Sequence, residues 1–212
     1  MRTLTTLVIA IAMLGFSATA NASITLMGET ISDATIPGSN DFKSDLEALG
    51  FDQLVYGDIK STSRQKLTFF FHAAESGFEN SFNLNGVDVF TEDNESWMAA
   101  GIEIGSVNVE IGDVIGLSGL DLIGFTAGGG SDGVDARLGE EAFGIFKNTS
   151  GSGSFLGSDG RTYFGFDDNG SGPDDNHDDI IVSVAFSSIP EPTSVLVWAG
   201  LIGLCASRRR KR

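Results

Sequence analysis

Lys66-Leu67-Thr68-Phe69-Phe70-Phe71-His72 is the stretch that decides the fold. Its period is two: Leu67, Phe69 and Phe71 share one face, and Thr68, Phe70 and His72 share the other. Phenylalanine on both faces predicts a strand central to a sheet, with apolar material above and below. Working outward, 81–90 reads as a hairpin. Its turn is Asn85-Gly86, a pair that readily takes the positive φ angles of a type I′ turn. Further strands are predicted at 23–27, 53–56, 106–111, 122–126, 142–146, 162–166 and 179–186, each bounded by Gly, Asn, Asp or Ser. One short helix is predicted at 41–49, with Phe42, Leu46 and Leu49 inward and Gly50 ending it. About nine short strands and one helix predict an all-β fold, an antiparallel, jelly-roll-like β-sandwich. No fixed repeat is present to support a β-helix. Two Gly/Ser-rich segments, 127–135 and 148–160, read as loops.

Both ends carry a different signal. Residues 1–22 read as a secretory signal peptide: Arg2 at the start, an apolar run from Leu7 to Phe16, and the small-residue site Ala20-Asn21-Ala22. At the other end Pro190-Glu191-Pro192 precedes an apolar run, Val195 to Ala206, and then Arg208-Arg209-Arg210-Lys211-Arg212. The run falls short of the roughly 20 residues a comfortable span needs, and the basic cluster holds its end on the cytoplasmic side. In all three parts this tail resembles the PEP-CTERM sorting signal of Gram-negative bacteria. The resemblance implies transient inner-membrane anchoring and cleavage near Pro190-Glu191-Pro192 by an exosortase-type protease. It also implies delivery to the cell surface or exopolysaccharide matrix. An ordinary tail anchor is the alternative. The expected organisation is therefore a signal peptide at 1–22, a secreted domain at 23–189 and a sorting signal at 190–212, with a hydrophobic helix at each end.

Charge narrows the partners. The chain has 13 basic and 29 acidic residues. The end segments hold six of the basic ones, so the span 23–192 has seven against 29, a net of −22. Such a surface repels phosphate backbones, which argues against nucleic acid, and attracts cations. The one cysteine, Cys205, lies in the tail, so the exported domain has no disulfide and needs an ordinary core.

The cation-binding expectation centres on Asp167-Asp168-Asn169-Gly170-Ser171-Gly172-Pro173-Asp174-Asp175-Asn176-His177-Asp178-Asp179. Calcium takes six to eight oxygen ligands, and an acidic loop can wrap it. Counted as a twelve-residue loop, Asp167, Asn169, Ser171, Asp175 and Asp178 fall at positions 1, 3, 5, 9 and 12, with Gly172 at the sharp turn. Asp174 and Asp179 are alternate ligands. The final Asp replaces the usual Glu and the flanks are strands, so the expectation is a calcium loop across a β-hairpin, not an EF-hand. The competing reading is a solvated turn, because Asp, Asn, Gly and Ser build any exposed turn. The segments 75–82 and 163–182 also resemble an uncharacterised bacterial secreted-domain family. Asp168, Asp174 and Asp179 match its acidic block, while Asp167, Asn176, His177 and Asp178 depart from it. That resemblance implies an extracellular β-sandwich, and it implies no established catalytic activity.

Other motifs are weak. Gly129-Gly130-Ser131-Asp132-Gly133 fits a hydrolase pattern and Gly128, Gly130 and Gly133 a dinucleotide pattern, yet neither has the required helix after it. His72 and His177 with no cysteine in the exported domain argue against zinc. Trp97 and Tyr163 read as core before they read as a sugar platform. The leading expectation is a non-enzymatic envelope or matrix component with a calcium loop. Next comes a carbohydrate-binding module or calcium-dependent adhesin, and last a polysaccharide-active enzyme.

Overall fold

A computed structural model describes residues 24–30, 35–75, 78–93, 96–128, 135–150, 155–168 and 176–189. The signal peptide, the sorting signal and residues 169–175 of the acidic loop lie outside the described residues. Among the described residues no helix is long and apolar enough to cross a membrane.

The described residues contain twelve strands and one helix, in chain order: β1 (Ile24–Thr30), α1 (Lys43–Ala48), β2 (Gln53–Ser61), β3 (Gln65–Ala73), β4 (Ser81–Leu84), β5 (Val87–Thr91), β6 (Ile102–Val109), β7 (Val114–Ile115), β8 (Ile123–Thr126), β9 (Ala136–Arg137), β10 (Phe143–Lys147), β11 (Thr162–Phe166) and β12 (Ile180–Ser188). They form two antiparallel sheets. The larger has eight strands in the order β1-β2-β10-β11-β12-β3-β6, with β7 beside β2. The smaller has four, in the order β5-β4-β8-β9.

The two sheets pack face to face. Phe69 of β3 meets Phe82 of β4 at 5.1 Å between ring centroids. Phe125 of β8 meets Phe143 of β10 and Phe166 of β11, both at 4.8 Å. Strand periodicity assigns the other face of the large sheet to a second core. On β11, Phe164 and Phe166 face the small sheet, while Tyr163 joins Leu54, Tyr56, Phe146 and Ile181 beneath α1. The molecule thus has three layers. That is why the large-sheet strands are apolar on both faces, as Lys66 to His72 foretold. The helix contributes Leu46, fully buried, and stops where Gly50 takes φ +98°.

Boundaries moved where local turns or bulges intervened. The predicted strand at 106–111 runs instead from 102 to 109. The Glu110 amide donates to the Asp113 carboxylate at 2.7 Å and turns the chain, leaving Ile111 exposed. The predicted strand at 53–56 continues to Ser61 through Gly57. The register of β1 on β2 shifts there, and a Cβ at Gly57 would lie 3.0 Å from the Met27 carbonyl oxygen. The Asn85-Gly86 turn has φ of 53° and 71°, the positive pair a type I′ turn requires.

Candidate metal centre at the base of the 167–179 hairpin

Strands β11 and β12 are antiparallel neighbours, and their ladder ends at the pair Phe166↔Ile180. The next residues outward on the two strands are Asp167 and Asp179, so the register itself sets two carboxylates across from each other. The Asp179 amide donates to the Phe166 carbonyl at 3.2 Å and closes the base of the hairpin. The Asp168 amide donates to Asp179 Oδ2 at 2.8 Å. One carboxylate oxygen each from Asp167, Asp168 and Asp179 lies within 4.8 Å of the others. Asp167 and Asp168 are 1 % and 2 % exposed, so these two carboxylates are buried at the base of the hairpin.

The shell around the group is polar and tied to both sheets. Asn80, just before β4, donates through Nδ2 to Asp168 Oδ2 at 3.0 Å. Its own Oδ1 accepts the Gly128 amide at 3.0 Å, and its amide donates to Glu92 Oε1 at 3.2 Å. Asn80 is fully buried, which makes it a bridge from the small sheet to the hairpin. Asp168 therefore meets a partner that is 88 residues away in the chain.

A second group lies beside the first. Asp41, Glu75 and Asp178 also bring one carboxylate oxygen each to within 4.8 Å of one another. The Asp41 amide donates to Asp178 Oδ2 at 2.6 Å, and the Glu75 amide donates to the Asp178 carbonyl at 3.1 Å. Asp178 belongs to this second group, while its chain neighbour Asp179 belongs to the first.

Two backbone features hold this geometry. His177 adopts φ +57°, a left-handed conformation that costs a residue with a side chain about 1–2 kcal/mol. Its imidazole Nε2 donates to the Glu141 carbonyl at 2.8 Å, and its ring rests 5.6 Å from Tyr56. Its carbonyl presses on β11, where a Cβ at Gly165 would lie 2.4 Å from the oxygen. Gly165 is therefore part of the site's construction: only a residue without Cβ lets the hairpin fold back so closely.

Of the seven ligands expected from the sequence, Asp167, Asp178 and Asp179 are described, and they divide between the two groups. Asn169, Ser171, Asp174 and Asp175 lie outside the described residues. Sequence reading passed over Asp168 as a ligand because it fell at a non-ligand position of the twelve-residue count. Asp41 and Glu75 carried no local signal at all.

Burial drives the Asp179 carboxyl up to about 8, and the charges of Asp168, Asp167 and Asp178 push the same way. Without a cation, the folded state binds a proton here that the unfolded state has lost, so stability falls as pH rises from about 4 to about 8. Buried His72 acts in the opposite sense. Desolvation, then the Arg161 charge, lowers it from 6.5 to about 4, so its contribution grows as pH rises through that interval. Between about pH 6.5 and 8 the His72 contribution has levelled off and the Asp179 slope remains. In chelator the melting temperature is expected to drop between pH 6.5 and 8.5, and calcium is expected to flatten the drop. Identical profiles with and without calcium would contradict that coupling.

The oxygen-only donor set suits a hard cation. Carboxylate oxygens suit hard cations as a class, whereas zinc favours nitrogen and sulfur. His177 directs its Nε2 to a carbonyl instead. His72 lies elsewhere, fully buried between Trp97 and Tyr163 at 5.1 and 4.8 Å. Its Nε2 is 2.8 Å from Ser183 Oγ and accepts from Arg161 at 3.3 Å. Ser183 is fully buried too, so the contact is a buried polar pair beside the second core, made through Nε2 alone. Trp97 stacks on Tyr163 at 5.8 Å, and Tyr163 is 1 % exposed, which makes the pair core packing as read from sequence. No protein-family model, curated protein or solved structure matches the chain.

Proposed function

We propose that this protein is an exported, non-enzymatic β-sandwich, a structural component of the cell envelope or exopolysaccharide matrix, whose 167–179 hairpin is locked by calcium. One observation carries the calcium reading: Asp167, Asp168 and Asp179 converge within 4.8 Å at a buried hairpin base. Three carboxylates drawn together repel one another, and a divalent cation turns that repulsion into attraction. Asp167, Asp168 and Asp179 would hold the ion, and Asn169, Ser171, Asp174 and Asp175 stand in the same loop to complete an oxygen shell. Asp178 with Asp41 and Glu75 would hold a neighbouring one. Calcium is abundant outside cells, so a domain without disulfides gains a cross-link only after export.

The export half of the reading rests on the two ends of the sequence. Signal peptidase would act after Ala22 and an exosortase-type protease near Pro190-Glu191-Pro192, after the tail has held the chain transiently in the inner membrane.

Two measurements test the halves separately. Calorimetric titration of calcium into the chelator-stripped full chain is expected to give a saturable heat, and no heat at millimolar calcium would reject the calcium site. Mass spectrometry of the protein recovered from cells is expected to show both ends trimmed. An intact 212-residue product in the cytosol would reject the export and matrix reading.

A further inference from the structure

The outer face of the small sheet carries a polar groove of about 440 Å³, within the size range of small-molecule sites. Its walls come from three strands and their connections: Asn83 on β4, Thr126 on β8, Arg137 on β9, and Asp121, Asp135 and Glu140 beside them. Phe125 contributes only to the floor, because its ring turns inward and is 1 % exposed.

These groups are set in place by one another. Asn83 Nδ2 donates to Thr126 Oγ1 at 3.2 Å, and Thr126 Oγ1 donates to Asp88 Oδ1 at 3.2 Å. The Ala127 amide donates to Asp135 Oδ1 at 3.0 Å. Arg137 is fixed by Glu140, whose two oxygens take its amide at 2.7 Å and its Nη2 at 3.1 Å. Its Nη1 lies 3.8 Å from Asp121. The Arg137 and Asp121 side chains remain 54 % and 62 % exposed, so the wall is ordered yet open to a ligand.

We propose that this groove binds a neutral saccharide, through hydrogen bonds and without an aromatic platform. The wall holds carboxylate acceptors, Asp121 and Asp135, together with the Asn83 amide and the Arg137 guanidinium as donors. A sugar hydroxyl both donates and accepts, so a row of adjacent hydroxyls can satisfy such a wall. The exposed Asp121 carboxylate and Arg137 guanidinium are planar groups with two adjacent polar atoms, which suits vicinal hydroxyls. Charge selects within that class. Asp121, Asp135 and Glu140 outweigh Arg137, leaving a formal −2 that disfavours uronates and phosphate. The inference goes beyond the calcium-locked scaffold: the groove is built on β4, β8 and β9, away from the 167–179 hairpin.

The test is a nuclear magnetic resonance titration of the full chain with neutral oligosaccharides (maltotriose, cellotriose and laminaritriose), with galacturonate and inorganic phosphate as contrasts. At least one neutral sugar is expected to shift the Asn83, Thr126 and Arg137 amides at millimolar concentration, in chelator as well as in calcium. Arg137→Ala and Asn83→Ala are each expected to weaken that binding about tenfold, the equivalent of about 1.4 kcal/mol. Both variants are expected to keep the parent melting temperature and calcium heat, which separates a lost ligand contact from a lost fold. No shift with any neutral sugar, stronger binding of galacturonate or phosphate, or unchanged affinity in both variants would overturn the proposal. Loss of the calcium heat with sugar binding retained would sink only the calcium reading.

Discussion

Replacing Phe125 by alanine is expected to lower the unfolding free energy by about 3–5 kcal/mol, the cost of emptying a large buried ring site. Phe125 is 1 % exposed and touches three other rings: Phe82 within its own sheet, and Phe143 and Phe166 on the opposing sheet. The Phe125–Phe166 pair is stacked at an interplanar angle of 11°, so the removed ring leaves the face of Phe166 without its stacking partner. Neither sheet can close the gap cheaply, because each is held by its own ladder. For a chain of this size the melting temperature should fall by roughly 6–20 °C. Val87→Ala is the control: Val87 is 63 % exposed on β5, and its loss should change stability by less than about 0.5 kcal/mol. Equal melting temperatures for the two variants would mean that the sheets do not pack through Phe125.

Calcium should raise the melting temperature of the chelator-stripped protein by roughly 5–10 °C at a hundredfold excess over its dissociation constant, since that excess is worth about 2.7 kcal/mol. Asp179→Asn should abolish the rise. The asparagine oxygen can still accept the Asp168 amide, so the hairpin base keeps its hydrogen bond. The sign of the effect without calcium is the discriminating part. At pH 8.5 and in chelator the variant should be at least as stable as the parent, because a buried charge beside Asp167, Asp168 and Asp178 has been removed. In calcium it should be less stable, because a ligand has been removed. A variant that loses stability equally in both conditions would show that Asp179 serves only the hairpin's own structure.

The contrast between those two residues shows what can be read locally. Phe125 sits in an alternating run, and its burial follows from period two. The same holds for Leu67, Phe69 and Phe71. The strand at 162–166 was legible to its ends, because Tyr163, Phe164 and Phe166 announce themselves and Asp167 stops the apolar pattern. Strands β7 and β9 were not legible: each has two residues, too few to show a period. Nor does a strand's sequence name its partner. Nothing in 81–84 or 123–126 shows that these strands leave the large sheet to form a second one.

The acidic loop divides along the same line. Its cation-seeking character follows from composition, since six aspartates in thirteen residues carry that charge whatever the fold. A count along one loop, however, treats ligands as neighbours in sequence. The folded chain groups them by ladder register and by contacts from afar: Asp167 and Asp179 meet because Phe166 pairs with Ile180, and Asp168 is met by Asn80. Asp41 and Glu75 join Asp178 from the α1 and β3 segments.

The sequence by itself determined the all-β class, the apolar faces of the long strands, the Asn85-Gly86 turn and the apolar runs with basic residues at both ends. These depend on side-chain alternation and local backbone preference, which act over a few residues. Only the tertiary structure decided the unequal division into two sheets, the second core under α1, the two carboxylate groups and the groove on the small sheet. Each of these depends on which strand lies beside which, a choice made by burial summed over the whole chain and invisible in any one segment.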